Sequence, residues 1–307
     1  MSIIEVTNLH KRYGDTVAVD DVSFEVAEGE IFGILGPNGA GKTTTVESIV
    51  GLRRPDRGAI RVLGLDPTRD RTELRRQVGV QLQESQLPEK LTVAEALDLY
   101  ASFYDDPVDT QELLDELGIA GKADTKFDKL SGGQKQRLSI ALALIGKPKI
   151  AVLDELTTGL DPQARRDTWQ LVENVRARGV TIILVTHFMD EAERLCDRLA
   201  VIDSGRVVAV DSPARLVERV TDEQRIIFRP STPVDVGILA GLADVTDVGR
   251  SGEHVVVSGT GNVLYSLVTT LAAHDVIATE LRMERANLED AFVSLTGKAF
   301  DPEPAAA

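Results

Sequence analysis

The sequence predicts an α/β domain built on a mostly parallel sheet, followed by a smaller α+β domain, and three observations carry this expectation. The first is Gly36-Pro37-Asn38-Gly39-Ala40-Gly41-Lys42-Thr43, a glycine loop that ends in a lysine and a hydroxyl. It follows the apolar run Glu30-Ile31-Phe32-Gly33-Ile34-Leu35 and leads into helix-compatible Thr44, Val46, Ile49 and Val50. Such a strand–loop–helix setting separates a phosphate loop from a chance glycine cluster. The second is the return of buried-strand runs at Ile150-Ala151-Val152-Leu153 and at Val180 to Val185, with a helical pattern from Pro162 to Arg178 between them. That alternation argues for parallel strands covered by helices. The third is a change of character beyond about residue 220, where the order becomes strand–helix–strand–strand–helix–strand, the order of a small ferredoxin-like unit.

The elements follow in order. Ile3-Ile4-Glu5-Val6 alternates, Arg12-Tyr13-Gly14-Asp15 turns, and Ala18 to Val26 alternates again, so residues 1 to about 30 read as strands flanking the phosphate loop. From about 85 to 147 the period becomes helical, with Val93, Ala94, Leu97, Leu99 and Tyr100 in one stretch and Leu113, Leu114 and Leu117 in the next. Leu199 to Ile202 and Arg206 to Ala209 around Ser204-Gly205 read as a hairpin closing the first domain. In the second, Glu223 to Phe228, Val245 to Val257 around Gly252, and Val276 to Arg285 read as strands, with helices over Val234 to Leu242 and Val263 to Ala273. The expected domains are therefore 1–218, with its helical subdomain at about 85–147, and 219–298, before a disordered tail at 299–307.

Composition narrows the partners. Lys and Arg total 34 against 49 Asp and Glu, a net charge of −15 without a basic stripe, which argues against nucleic acid or anionic lipid as the main partner. Cys196 is the single cysteine, so no intrachain disulfide or cysteine cage for a metal can form, as expected of a reducing interior. The start Met1-Ser2-Ile3-Ile4-Glu5-Val6 lacks a secretory pattern, and no apolar run approaches the ~20 residues of a spanning helix. If membranes matter, another chain is expected to supply the span.

The loop chemistry follows from its residue types. Glycines let successive N–H groups turn inward toward phosphate oxygens, and the helix start adds partial positive charge. Lys42 reaches β- and γ-phosphates as a compact cation, and the Thr43 hydroxyl is placed to ligate Mg²⁺. The strand Ile150 to Leu153 ends in Asp154 and Glu155, the first suited to hold Mg²⁺ and the second to serve as general base for an attacking water. Leu130-Ser131-Gly132-Gly133-Gln134-Lys135-Gln136-Arg137 places a second hydroxyl and two glycines at a helix start. Two phosphate-seeking helix starts do not easily serve one nucleotide from the same side, and pairing of two subunits around the ligand resolves this.

Together these residues resemble the ATP-binding subunits of ABC transporters over roughly residues 3 to 215. Gly36 to Thr44 match Walker A, Ser131, Gly132, Gly133 and Gln134 match the signature, and Leu153 to Glu155 match the end of Walker B. The resemblance assigns Tyr13 to stacking on adenine, Gln83 to the Q-loop glutamine that reaches Mg²⁺ and the attacking water, Thr158 to Asp161 to the D-loop, and His187 to the switch histidine at the γ-phosphate. Gln81 and Gln86 lie close to Gln83, which is preferred because Val78-Gly79-Val80 reads as the strand before that loop. His10, His254 and His274 read as surface or packing residues, and Leu156 stands where the family usually has proline. The late segment Asn287 to Gly297 is similar to ATPase subunits of daunorubicin-resistance-type exporters.

The resemblance implies a P-loop NTPase fold of ABC type, with a mixed β core, an antiparallel β subdomain and a helical subdomain. It also implies ATP and Mg²⁺ as ligands, a homodimer with ATP at the interface, and an integral-membrane permease on whose cytoplasmic face the subunit sits. The expected cargo is a drug, antibiotic or lipid-like compound. Two other readings are a soluble ABC-type ATPase acting on nucleic acid or ribosomes, and a nucleotide-binding regulatory subunit.

Overall fold

The computed structural model describes residues 2–82, 87–219 and 224–298, and the chain divides into two compact units, one running to Pro213 and the other beginning at Ala214. In the first unit β1 (Ser2–Tyr13) and β2 (Thr16–Ala27) form a long antiparallel pair whose register shifts at several points. The short buried strand β3 (Ile31–Leu35) leads through the glycine loop into α1 (Lys42–Ile49). Strand β4 (Arg57–Val62) returns to β1 and completes an antiparallel sheet of order β2-β1-β4. Only Ile60 and Val62 of β4 are buried, because it lies at the sheet edge and turns Arg57, Ala59 and Arg61 to solvent; so polar a strand carries little apolar signal.

After α2 (Arg71–Arg75) and β5 (Val78–Gln81), the helical stretch consists of α3 (Val93–Ala101), α4 (Thr110–Glu116) and α5 (Gly132–Leu144), with short 3₁₀ turns at Ala120–Lys122 and Phe127–Lys129. Two of these helices start on reciprocal capping boxes, Thr92 with Glu95 and Ser131 with Gln134, each satisfying amide donors that the helix itself leaves free. Arg137 of α5 donates to Leu117 O at 3.1 Å.

The chain then runs through β6 (Ile150–Asp154), α6 (Pro162–Ala177), β7 (Thr181–Thr186), α7 (Met189–Leu195), β8 (Arg198–Asp203), β9 (Arg206–Asp211) and α8 (Pro213–Glu218). Arg137 also pairs with Asp167 of α6 at 3.0 Å. The main sheet has the order β5-β6-β7-β3-β8-β9, parallel from β5 to β8 and antiparallel only at β9. Strands β3, β6 and β7 are buried at every position, which is why they read as unbroken apolar runs rather than alternating ones.

The second unit contains β10 (Gln224–Pro230), α9 (Val236–Ala240), β11 (Val245–Ser251), β12 (His254–Gly259), α10 (Val263–Ala273), β13 (Ala278–Arg285) and α11 (Leu288–Thr296). Its sheet order is β11-β12-β10-β13 with every neighbouring pair antiparallel, the ferredoxin-like arrangement. Ile226, Phe228, Val255 and Val257 on the sheet pack with Leu239, Leu267 and Leu271 from α9 and α10. The expected tail, 299–307, lies outside the described residues.

Candidate active site

The glycine loop lies at the carboxyl end of β3, where packing leaves no room for side chains at two of its positions. A Cβ at Gly36 would lie 2.2 Å from Ile202 O, and one at Gly41 would lie 2.3 Å from Ala18 O; Gly41 also holds φ at +100°. The Ser204-Gly205 turn between β8 and β9 braces the loop from outside. Gly205 N donates to Ala40 O at 2.9 Å, while Asp20 N donates to Gly205 O at 2.7 Å. Ala40 is buried and Pro37 half-buried, whereas Asn38 and Gly39 are exposed at the loop tip.

Lys42 is 5% exposed and folds back on its own loop, donating to Gly36 O at 2.7 Å and Pro37 O at 3.1 Å. Burial lowers its pKa, and the nearby Glu155 and Asp154 carboxylates oppose that shift. The ammonium group is thus held by two loop carbonyls, with the Glu155 and Asp154 carboxylates acting on it electrostatically. Thr43 is exposed at the first turn of α1, and the half-buried Thr44 follows it there.

Asp154 ends β6 with 2% exposure, and its amide donates to Gln81 Oε1 at 3.1 Å. Burial pushes its carboxyl up to about 6, Glu155 adds to the rise, and Lys42 counters it. Among the described residues Asp154 Oδ2 has no hydrogen-bond partner. A buried, orphaned carboxylate oxygen fits a hard divalent cation that takes most of its remaining oxygens from phosphate and water. No group of three or more His, Cys, Asp or Glu side chains that could hold a metal by itself occurs among the described residues.

Glu155 adopts left-handed φ of +50°, fixed by donation from its amide to Val185 O at 2.9 Å. Non-glycine residues pay to sit there, and such strain concentrates at functional positions. Leu156, where proline is usual in the resembled family, is buried. The Glu155 Oε1 atom lies 3.2 Å from His187 Nδ1, with both side chains about nine-tenths buried. This hydrogen bond, before any other cause, holds the Glu155 pKa below the ordinary carboxylate value, with the His187 and Lys42 charges adding to the effect and burial opposing it. Lys42, Asp154, Glu155 and His187 therefore converge just beyond the ends of the adjacent strands β3, β6 and β7.

The signature residues stand apart from this cluster. Ser131 caps α5, and with Gly133 and Gln134 it lines a separate cleft of about 330 Å³ together with Arg137, Asp161 and Gln163. Asp161 caps α6 by accepting from Gln163 N and Ala164 N, both at 2.9 Å. Gly132 belongs to the same first turn, and no hydrogen bond among the described residues joins Ser131–Gln134 to residues 36–43. Tyr13 ends β1 as an exposed residue, 42% accessible, with Lys11 Nζ 5.5 Å from its ring centroid, a place where a base could stack. Gln83 and Gln86 lie outside the described residues, whereas Gln81 is buried and committed to the Asp154 amide.

Asp154 makes one consequence measurable. A folded-state pKa of about 6 against an ordinary 3.8 means that, as pH rises between those values, the unfolded chain ionises first and stability falls. Above pH ~6 the nucleotide-free protein carries this cost in full, an upper bound of about 3 kcal/mol, and below ~4 it carries none. Asp154→Asn is expected to raise the melting temperature of nucleotide-free protein at pH 7.5 and to lose that advantage at pH 4, as read by thermal denaturation at both values.

Comparison with known proteins gives the same assignment. The ABC transporter family model matches residues 19–158. The chain is 41% identical over 304 residues to the Nod factor export ATP-binding protein I of Burkholderia orbicola, covering 96% of this chain and 97% of that protein. It is 37% identical over 302 residues to the protein of the same name from Ralstonia nicotianae, covering 96% and 94%. A solved ATP-binding subunit of an ABC transporter superposes with a TM-score of 0.64 at 32% identity, over 71% of this chain and 93% of its own. An ATP-binding cassette solved as a post-hydrolysis dimer with ADP and Pi superposes with a TM-score of 0.62 at 28% identity, over 68% and 98%.

Proposed function

The chain belongs to the ABC transporter family as an ATP-binding, ATP-hydrolysing subunit of an exporter, and from that premise we propose that two copies enclose ATP between the glycine loop of one and Ser131 of the other. The observation that carries this reading is the separation within one chain. Lys42, Asp154, Glu155 and His187 converge, while Ser131–Gln134 open a different cleft beside Asp161. A second copy supplies the missing wall, and the dimeric ADP and Pi state of the similar cassette supports that geometry.

In the proposed cycle the loop amides and Lys42 hold the β- and γ-phosphates, Tyr13 stacks on the adenine, and Glu155 takes the proton of the attacking water. His187 orients Glu155 through their hydrogen bond and meets the γ-phosphate. Thr43 and Asp154, with Gln83, would hold Mg²⁺, which when bound neutralises phosphate charge. ATP favours the closed dimer through contacts made only there, and loss of the γ-phosphate releases it. That motion drives a membrane-spanning permease, a reading supported by the relatives named as export ATP-binding proteins. We place the subunit on the cytoplasmic face of the membrane through that permease. The relatives named for Nod factor export support export as the direction of transport, and the cargo is a drug, antibiotic or lipid-like compound.

Mixing two inactive chains tests the composite site. Lys42→Ala and Ser131→Ala are each expected to be nearly inactive, yet a mixed dimer of the two keeps one intact site. Equal mixing should restore about one quarter of wild-type ATPase activity, because half the dimers are mixed and each has one of two sites. A mixture no more active than its components would show that each chain works alone.

A further inference from the structure

Behind the catalytic pair lies a buried carboxylate that the mechanism above leaves unused. Glu191, in the first turn of α7, is 0% exposed. Its Oε1 atom accepts from the indole Nε1–H of Trp169 on α6 at 3.1 Å. The hydroxyls of Thr157 and Thr186 also face this carboxyl. Thr157 lies two residues after Glu155, and Thr186 immediately precedes His187. Thr186 Oγ1 accepts from Phe188 N at 3.0 Å. Among the described residues Thr157 Oγ1 and Glu191 Oε2 are buried without a well-formed hydrogen bond. A fully buried carboxyl so incompletely satisfied costs stability, and its presence calls for a reason.

The surroundings supply one. Thr157 opens the segment that reaches Asp161, the N-cap of α6, and Trp169 sits two turns into that helix. A parallel connection runs through Arg165 of α6, which pairs with Asp190 at 3.3 Å and lies 4.6 Å from the Phe188 ring, itself 4.1 Å from the His187 ring. Three segments thus meet on one carboxyl: the stretch leaving the general base, the stretch entering the switch histidine, and the helix whose start lines the Ser131 cleft.

We propose that Glu191 is a positioning residue for ATP hydrolysis, fastening the Thr157 segment and the His187 segment to α6 through Trp169 so that Glu155 and His187 move as one unit with the helix that lines the signature cleft. The inference rests on the ATPase reading above. Burial raises the Glu191 pKa, which favours a neutral carboxyl able to donate to one neighbour while accepting from Trp169. The catalytic pair would then respond to a partner cassette through α6 rather than through ATP alone. Misplacement of such a pair by about 1 Å can cost ~100-fold in rate.

Trp169 is the single tryptophan, so its emission reports this contact directly. In the full chain, Glu191→Leu is expected to lower kcat at least about tenfold with little change in the KM for ATP, while Glu191→Gln, which keeps an acceptor for the indole, stays within about threefold of wild type. Trp169→Phe, which retains apolar volume, should reproduce the loss, and the double variant should be no slower than the slower single one. Adding ATP should shift Trp169 emission in wild type and Glu191→Gln but not in Glu191→Leu, although all three bind ATP. The proposal is overturned if folded Glu191→Leu or Trp169→Phe turns over at the wild-type rate, if Glu191→Gln is as slow as Glu191→Leu, or if the two losses multiply. Failure of wild-type chain to hydrolyse ATP would instead remove the ATPase reading on which the proposal stands.

Discussion

Glu155→Gln is expected to bind ATP with near-wild-type affinity and to hydrolyse it at least about 100-fold more slowly, the usual scale of a lost general base. The amide preserves the shape and the left-handed backbone at the end of β6, including donation to Val185 O, so the pocket persists. What disappears is basicity. His187 keeps Glu155 ionised below the ordinary carboxylate range, so at neutral pH the wild-type residue is ready to accept a proton. Single-turnover hydrolysis with radiolabelled ATP, alongside a binding titration, checks both halves. Wild-type turnover in this variant would remove Glu155 from the role of base.

Lys42→Ala is expected to lower kcat/KM for ATP by about 100-fold or more, because a buried cation aimed at developing phosphate charge has no substitute. Its charge interacts with both carboxylates at the end of β6, Asp154 and Glu155, and its bonds to Gly36 O and Pro37 O show how far it reaches inward. Removing it leaves Asp154 facing Glu155 without that counter-charge, so the variant also loses part of the anion-binding character of the loop. Calorimetric titration with ATP measures the loss of affinity, and steady-state ATPase assays measure the rest.

The glycine loop, the carboxylate pair and the helix start at Ser131 read as local patterns, whereas the roles of signature and switch histidine came to Ser131–Gln134 and His187 only through resemblance to the family. Gly36 and Gly41 are demanded by backbone approaches of 2.2 and 2.3 Å, and Ser131 by a cap three residues from Gln134. The βαββαβ order of the second unit was equally legible, since its strands alternate and its helices are separated by clear turns. Strand β4 was not, because an edge strand that buries only Ile60 and Val62 resembles a polar loop. Long-range contacts escaped for a different reason. The Gly205 brace on Ala40 and the Gln81 bond to Asp154 join positions 165 and 73 residues apart, and nothing in either local sequence requires them. Glu191 reads locally as an ordinary acidic residue at a helix start, and its contacts with Trp169, 22 residues earlier, and with Thr157 have no local signal.

The central claim is that the site is shared between two copies, and the mass of Glu155→Gln in solution tests it most directly. With Mg²⁺ and ATP, light scattering coupled to gel filtration should give twice the mass of one chain, and without nucleotide the mass of one. A variant that binds ATP yet keeps the mass of a single chain at every nucleotide concentration would contradict it.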